Sequence, residues 1–368
     1  TFSEDNFYFY ENRTNFKDKF RTGIFKPSED KTNLPSEQLF FKILSYNFSN
    51  KEKEISSNLT AGFDIVKSIF IGEFADKFIH FYPYIDAHGT DGYAFLHKSN
   101  IPLAEKKAKL EKYMDTLRYQ IISTVQIGKS DDEKSESNKL FFDRIRDGGR
   151  GEKYYGIKYE KLTKDIKQTS PEFSNNFERL LDIVTNEATK PHKTIFAYTH
   201  GDFHDLNFSY DGLHWDTDTF GYNPITNDLA IYYWNFYARE DSHVWKYAPW
   251  LSMYMRNDLS PIELNEMRDV KKAAIADYYS LVTELFSLYG LSENFFEEFT
   301  MKLFCRAFLT DNVTQYSMSD RVKLYGYWNN YISIQDSNNF LTDALFPNNG
   351  NNIENMTASF DKILKNVA

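Results

Sequence analysis

Between Tyr198 and Ala230 the chain reads YTHGDFHDLNFSYDGLHWDTDTFGYNPITNDLA, and its carboxylates are spaced for chemistry. The short apolar run Thr194–Thr199 predicts a strand that delivers His200, Gly201 and Asp202 into a turn. Asn207 follows five residues after Asp202, at the start of another apolar stretch. Asp211–Gly212 is a hairpin signal, and the second arm ends in Trp215–Asp216–Thr217–Asp218. Such a hairpin sets Asn207 beside Asp216 and gathers one carboxamide and two or three carboxylates around one point. Hard oxygen ligands of this kind suit Mg2+, which takes one or two carboxylates together with substrate phosphates. Asp202 is left to accept a proton.

The pattern resembles the aminoglycoside phosphotransferase / choline kinase family, whose catalytic loop has the form H-G-D-x-x-x-x-N. His200, Gly201, Asp202 and Asn207 match it. Asp216 stands where the family carries a metal-binding Asp, and Asp228–Leu229–Ala230, twelve residues on, fits the closing motif. The resemblance implies an α+β, bilobal protein-kinase-like fold. A sheet-rich N-terminal lobe, residues 1–95, would bind the nucleotide, and a mainly helical C-terminal lobe, residues 96–368, would carry catalysis and the acceptor. It implies ATP and Mg2+ as cofactors and transfer of the γ-phosphate to a hydroxyl of a small molecule. Asp202 would orient or deprotonate that hydroxyl, and Asn207 and Asp216 would hold the metal. Asp218 would touch a second metal or the substrate. His200 would hold the loop by hydrogen bonds, and Asp228 reads as a buried carboxylate bracing it.

The same resemblance asks the small lobe for a lysine and an acidic partner. Lys42, in the strand LFFKIL, is the candidate; read alone it would be a solvent-facing strand lysine. Glu52 is the preferred partner, since it shares a helical face with Ile55 and Leu59; Glu54 is the alternative. The hinge contacting adenine falls at Pro83–Ala87, with Tyr84 and Ile85 at its centre. No G-x-G-x-x-G precedes Lys42, so the phosphate turn is assigned to Glu11–Asn15, with Asn15 as its nucleotide contact. No activation-loop or A-P-E signal follows Asp218, which favours a small-molecule acceptor over a protein.

For the acceptor, Tyr232, Tyr233, Trp234, Phe236, Tyr237, Trp245 and Trp250 lie among Glu240 and Asp241. Aromatic faces with carboxylates suit a cationic amine, as in an aminoglycoside, amino sugar or choline; core packing is the competing reading. Asp205 is either an amine contact or a solvated loop residue. The stretch Asp147–Tyr155 (DGGRGEKYY) is either an anion cradle or a connector. The competing class is a nucleotide-binding pseudokinase without catalysis, and a peptide or natural-product intermediate is the alternative acceptor.

These groups need elements to hold them. Strands are predicted over Phe7–Tyr10, Phe20–Phe25, Leu39–Leu44, Asp64–Ile71 and Phe78–Ile85, with one helix over Lys51–Leu59. Leu110, Met114, Leu117 and Ile121 recur at helical spacing within a helix over Leu103–Thr124. Lys129–Ser137 (KSDDEKSES) reads as an exposed charged loop, and Leu259–Ser260–Pro261 as a helix start.

Composition sets the outer bounds. The 368 residues are 41 % hydrophobic and 17 % aromatic, and the net charge is −10. An acidic chain lacks the basic face that nucleic-acid binding needs. No apolar run approaches the ~18–20 residues of a membrane span. The single cysteine, Cys305, excludes an internal disulfide and a cysteine-built zinc site. The first residues carry no basic, apolar leader pattern, so a cytoplasmic location is expected.

Overall fold

The computed structural model describes residues 6–9, 22–26, 38–74, 76–85, 91–130, 132, 134, 135, 137, 138, 159–175, 177, 178, 191–235, 259–309, 318, 321, 322 and 325. Asn15, Glu240, Asp241, the Glu11–Asn15 turn and Asp147–Tyr155 lie outside them, as do Phe236, Tyr237, Trp245 and Trp250.

Aromatic alternation in the first part of the chain builds an antiparallel sheet. Its strands are β1 (Phe7–Phe9), β2 (Thr22–Phe25), β3 (Leu39–Leu44), β5 (Phe70–Phe74) and β6 (Lys77–Pro83), in the order β1-β2-β3-β6-β5. Phe41 faces Phe7, Phe25 and Phe81 on one side of this sheet, where they form a closed aromatic cluster. Successive strand side chains point to opposite faces, so Lys42 lies on the other side. Helix α1 (Ser49–Asn58) follows β3 and packs through Ile55 against Tyr198 and Phe220 of the second region.

The predicted strand Asp64–Ile71 is two strands. Short β4 (Asp64–Ile65) leaves the five-stranded sheet and pairs in parallel with β9 (Leu213–His214), while β5 forms the sheet edge. Its backbone is drawn across by Gly212 and His214, whose carbonyls accept from Asp64 N and Val66 N. The first region is thereby stitched to the hairpin that carries Asp216.

The second region is mainly helical. Helix α2 (Gly92–His97) is followed by α3 (Leu103–Thr124), with the predicted bounds. After α4 (Tyr159–Thr169) come α5 (Ile225–Tyr233), α6 (Pro261–Leu288) and α7 (Ser292–Leu309). Ser260 caps α6 in a reciprocal box with Glu263, and Pro261 sits in the first turn, which is why Leu259–Ser260–Pro261 reads as a start. A small antiparallel sheet, β10-β8-β7, lies among the helices. Its strands are β7 (Gln126–Lys129), β8 (Lys193–Thr199) and β10 (Gly221–Pro224). Helix α2 spans the boundary expected at residue 95. It is bonded to the second region, with Gly92 N donating to Phe208 O and Tyr93 N to Asp205 O.

The exposed loop expected at Lys129–Ser137 is interior at half of its described residues. Ser130, Ser135, Ser137 and the adjoining Asn138 are buried. Ser135 Oγ and Ser137 N donate to Asn223 Oδ1 at 2.8 and 3.2 Å, and Ser137 Oγ donates to Gly201 O at 2.9 Å. Small polar side chains enter the interior here because each brings a hydrogen bond to a buried backbone or amide group. Tyr232, Tyr233 and Trp234 also resolve to the core reading, each at most 3 % exposed. Among the described residues no helix is long and apolar enough to cross a membrane.

Candidate active site

Strand β8 ends at Thr199, and the chain enters the turn through His200 and Gly201. Gly201 has φ +79°, and a Cβ there would meet Thr219 O at 2.4 Å and Asn223 Nδ2 at 2.7 Å. Only glycine fits this close, left-handed passage. His200 is buried and neutral by its partners: Nε2 donates to Trp215 O at 2.9 Å, while Nδ1 accepts from Asp202 N at 3.3 Å. Burial lowers its pKa, with the Trp215 bond and nearby acids opposing. Both ring nitrogens are taken up by backbone groups of the loop and the hairpin.

Aromatic residues interleaved with the polar ones hold the loop from below. Phe203 and Phe208 stack at 4.9 Å, and Phe208 stacks on Tyr113 of α3 at 4.7 Å. The hairpin closes as expected. Gly212 N donates to Ser209 O and Trp215 N donates to Asn207 O, so Asn207 and Asp216 sit on adjoining arms. Asn207 Nδ2 donates to Asp202 O at 3.0 Å. Asp216 adopts φ 55°, ψ 50°, the left-handed conformation that Asp tolerates better than most side chains.

Lys42 reaches across to this rim. Its ammonium bonds Asp216 Oδ1 and lies 3.3 Å from Asp218 Oδ1. It is 9 % exposed, so the solvent-facing reading fails. Burial pulls its pKa down, but the Asp216 and Asp218 charges together outweigh that and raise it. In return the Lys42 charge lowers the Asp216 pKa against burial. Lys51, in the first part of α1, adds a bond from its ammonium to Asp218 O. The two regions therefore meet where Lys42 pairs with two carboxylates and Lys51 with a backbone carbonyl of the second.

Glu52, expected as the partner of Lys42, is buried and its bonds go to Ser68: Oε1 accepts from the backbone N at 3.1 Å and Oε2 from Oγ at 2.7 Å. Lys42 has Asp216 and Asp218 as its acidic partners. Tyr84 and Ile85 follow directly after β6, with Tyr84 37 % exposed. Asp205 is 2 % exposed and lies near Tyr210 and Tyr232, so the solvated-loop reading does not hold.

Asp228, in the first turn of α5, accepts from Gly201 N through Oδ2 at 3.3 Å. Burial pushes its carboxyl up to about 7, with the Thr199 hydroxyl and the Gly201 N–H pulling the other way. This is the bracing role the spacing suggested.

Two contributors were not legible. Gln120 of α3 donates to Asn58 O and Tyr198 O and accepts from Thr60 N, tying α1 to β8. Arg306 of α7 places Nη1 3.2 Å from Asp202 Oδ1, while His204 Nε2 lies 3.7 Å from Oδ2. Both residues are remote in sequence from the motif and belong to no local spacing.

Lys42 and Lys51 thus face Asp216 and Asp218, beside the loop that carries Asp202. Among the described residues no cluster of three or more His, Cys, Asp or Glu is arranged to hold a metal. Asn207, Asp216 and Asp218 supply only oxygen atoms of the kind a hard cation takes.

No family model matches the chain, and no curated protein matches it. Solved structures with a similar path include a glucosamine kinase (crystal form B), at 11 % identity and TM-score 0.38, covering 86 % of this chain and 73 % of that one. A glucosamine kinase in complex with glucosamine, ADP and inorganic phosphate is similar at 10 % identity and TM-score 0.38, covering 86 % and 79 %.

Proposed function

We propose that this chain is an ATP- and Mg2+-dependent phosphotransferase that passes the γ-phosphate to a hydroxyl of a small molecule. In this reading residues 1–95 and 96–368 act as nucleotide lobe and catalytic lobe. The observation that carries it is the convergence of Lys42 with Asp216 and Asp218, 174 and 176 residues away, beside the loop bearing Asp202 and Asn207. Lys42 binds the phosphates and Tyr84–Ile85 lies against the base. Asn207 Oδ1 and Asp216 hold the cation, and Asp218 assists them. Bound Mg2+ supplies charge neutralisation on the phosphate oxygens. Asp202 orients the acceptor hydroxyl and receives its proton as the bond to phosphorus forms. His200, bonded to Trp215 O and Asp202 N, fixes that carboxylate to the arm that carries Asp216. An amine-bearing acceptor such as an aminoglycoside, an amino sugar or choline fits the acidic character of the chain.

The test is transfer of labelled γ-phosphate from Mg-ATP to a panel of aminoglycosides, amino sugars, choline and peptides. Transfer to one class, lost in Asp202→Ala, is the expected result. Mg-ATP that binds but is neither transferred nor hydrolysed would turn the reading into that of a non-catalytic nucleotide-binding module.

A further inference from the structure

We propose that Lys42 is a latch: it holds Asp216 and Asp218 against a free divalent cation until nucleotide phosphates draw its ammonium away. Cation and nucleotide then enter only together. This rests on the phosphotransfer reading above, in which the two carboxylates serve the cation. The ammonium bonds Asp216 Oδ1 and lies 3.3 Å from Asp218 Oδ1. Side chains two apart do not share a face of a regular helix. Here Asp216 takes the left-handed conformation and leads into a single-turn helix over Thr217–Thr219, and both carboxylates reach one ammonium. Among the described residues Asp216 is the one non-glycine with positive φ. Lys42 in turn stands in β3, opposite Thr22 of β2 and His80 of β6, so its backbone is held from both sides. What moves is its flexible four-carbon stem. Glu52, the carboxylate expected to hold Lys42 from α1, is engaged by Ser68 N and Oγ. The rim carboxylates are the counter-ions instead.

The two sides of this contact are unequally solvated. The Lys42 side chain is nearly buried, while both carboxylates are about half exposed. Solvent ligands reach the acids, but the ammonium has little water to replace them, and a buried charge without a partner is costly. A divalent cation alone would displace the ammonium and leave it close to a like charge. A triphosphate alone would take the ammonium and set its own negative charge against Asp216 and Asp218. Together they exchange partners: ammonium goes to phosphate, carboxylate goes to metal, and each charge keeps an opposite neighbour. Each ligand thereby raises the affinity for the other, and this coupling is reciprocal. A site that is open for only a fraction of the time binds with its affinity reduced by that fraction. Removing Lys42 therefore has an unusual signature, a gain of affinity for the metal alone.

The experiment titrates Mn2+ without nucleotide, read by electron paramagnetic resonance, into wild type, Lys42→Gln, Asp216→Asn and the double substitution of Lys42→Gln with Asp216→Asn. Mg-ATP binding and thermal unfolding are read on the same proteins. Mn2+ should bind Lys42→Gln at least about tenfold more tightly than wild type, the gain expected of a latch open less than about a tenth of the time. Asp216→Asn should remove that gain. In wild type, Mg-ATP should raise the unfolding midpoint and Mn2+ alone should leave it in place. Equal Mn2+ affinity in wild type and Lys42→Gln, lost with Asp216→Asn, overturns the latch and leaves the cation site standing. A gain that survives Asp216→Asn also overturns it, because the metal then sits elsewhere. If Lys42→Gln does not fold, Lys42→Met carries the titration. The wild-type midpoint is an independent check: a rise with Mn2+ alone that matches the rise with Mg-ATP and vanishes in Asp216→Asn overturns the latch. A wild type that binds no Mg-ATP, with the Mn2+ gain intact, retires the phosphotransfer reading and keeps Lys42 as the guard of the carboxylates. No Mg-ATP binding and no Mn2+ gain would end both.

Discussion

Asp216 and Asp228 stand twelve residues apart in one stretch of chain, and their surroundings drive the same side chain in opposite directions. On the rim, the Asp216 carboxylate is half exposed and faces the Lys42 ammonium, which lowers its pKa. In the floor, Asp228 is 1 % exposed, accepts from Gly201 N through Oδ2, and is pushed up to about 7 by burial. The rim is built to hold charge that a ligand can use. The floor is built to fix backbone, with neutral or internally paired groups. Pattern alone names both as Asp in a motif; burial and the nearest cation decide which performs chemistry.

The sharpest way to break this comparison is Asp216→Asn. Asparagine keeps the left-handed backbone that this position adopts and removes the charge. Phosphate transfer should fall about a hundred- to a thousandfold, the loss expected when a charge-stabilising group leaves a transition state. Stability should move by no more than about 1 kcal/mol, since the carboxylate is half in solvent and Asp218 remains on Lys42. Parallel rate and urea-unfolding measurements decide it. Retained transfer would mean the rim is not the chemical side.

Next in size is Gly201→Ala, which acts on the floor. The added Cβ would sit 2.4 Å from Thr219 O in a left-handed backbone, so strain of about 1–3 kcal/mol is expected together with loss of transfer. Urea midpoints check the first part. An alanine variant of native stability would show that the turn has room the structure denies it.

Legibility followed the same division. The rim was readable because its groups lie within one local motif whose residue types announce oxygen ligation, and the hairpin signal Asp211–Gly212 brings Asn207 to Asp216. Lys42 was readable through the family pattern together with strand alternation. The floor was not. Ser135, Ser137 and Asn138 sit in a charged, serine-containing stretch that looks solvated, and their burial depends on Asn223 and Asn227, 88 to 90 residues further along the chain. β10 was missed because Gly, Asn and Pro signal turns, whereas here pairing with β8 overrides that preference. Glu52 was expected to pair with Lys42, yet Ser68, a residue of no evident role in the sequence, takes its carboxylate. Local motifs carry chemistry; remote polar partners carry the support.

The titration of Asp228 sharpens the contrast without touching the rim. A carboxyl near 3.8 when unfolded and about 7 when folded binds more protons in the folded chain across that window. Its contribution to stability therefore falls as pH rises from about 4 to 7 and is level above, at up to ~1.4 kcal/mol per pH unit. Asp228→Asn removes that slope, so the difference in unfolding free energy between wild type and variant should shift in the variant's favour between pH 5 and 7. A pH-independent difference would mean that the floor carboxylate is charged like the one on the rim.

The smallest effect separates the two readings of the 130–138 segment. Ser137 is fully buried; its Oγ donates to Gly201 O and accepts from Asn227 Nδ2, both at 2.9 Å. Ser137→Ala leaves a buried carbonyl and an amide each short of a partner, a cost of about 1–3 kcal/mol. Lys134, three residues earlier and exposed, should change nothing measurable when replaced by alanine. Because the Ser137 hydroxyl bonds the backbone of Gly201 and no rim carboxylate, its removal should lower the urea midpoint while KM for Mg-ATP stays within about twofold. If Ser137→Ala and Lys134→Ala were equally silent, the segment would be the solvated loop that its composition suggests, and the floor would rest on Asn223 and Asp228 alone.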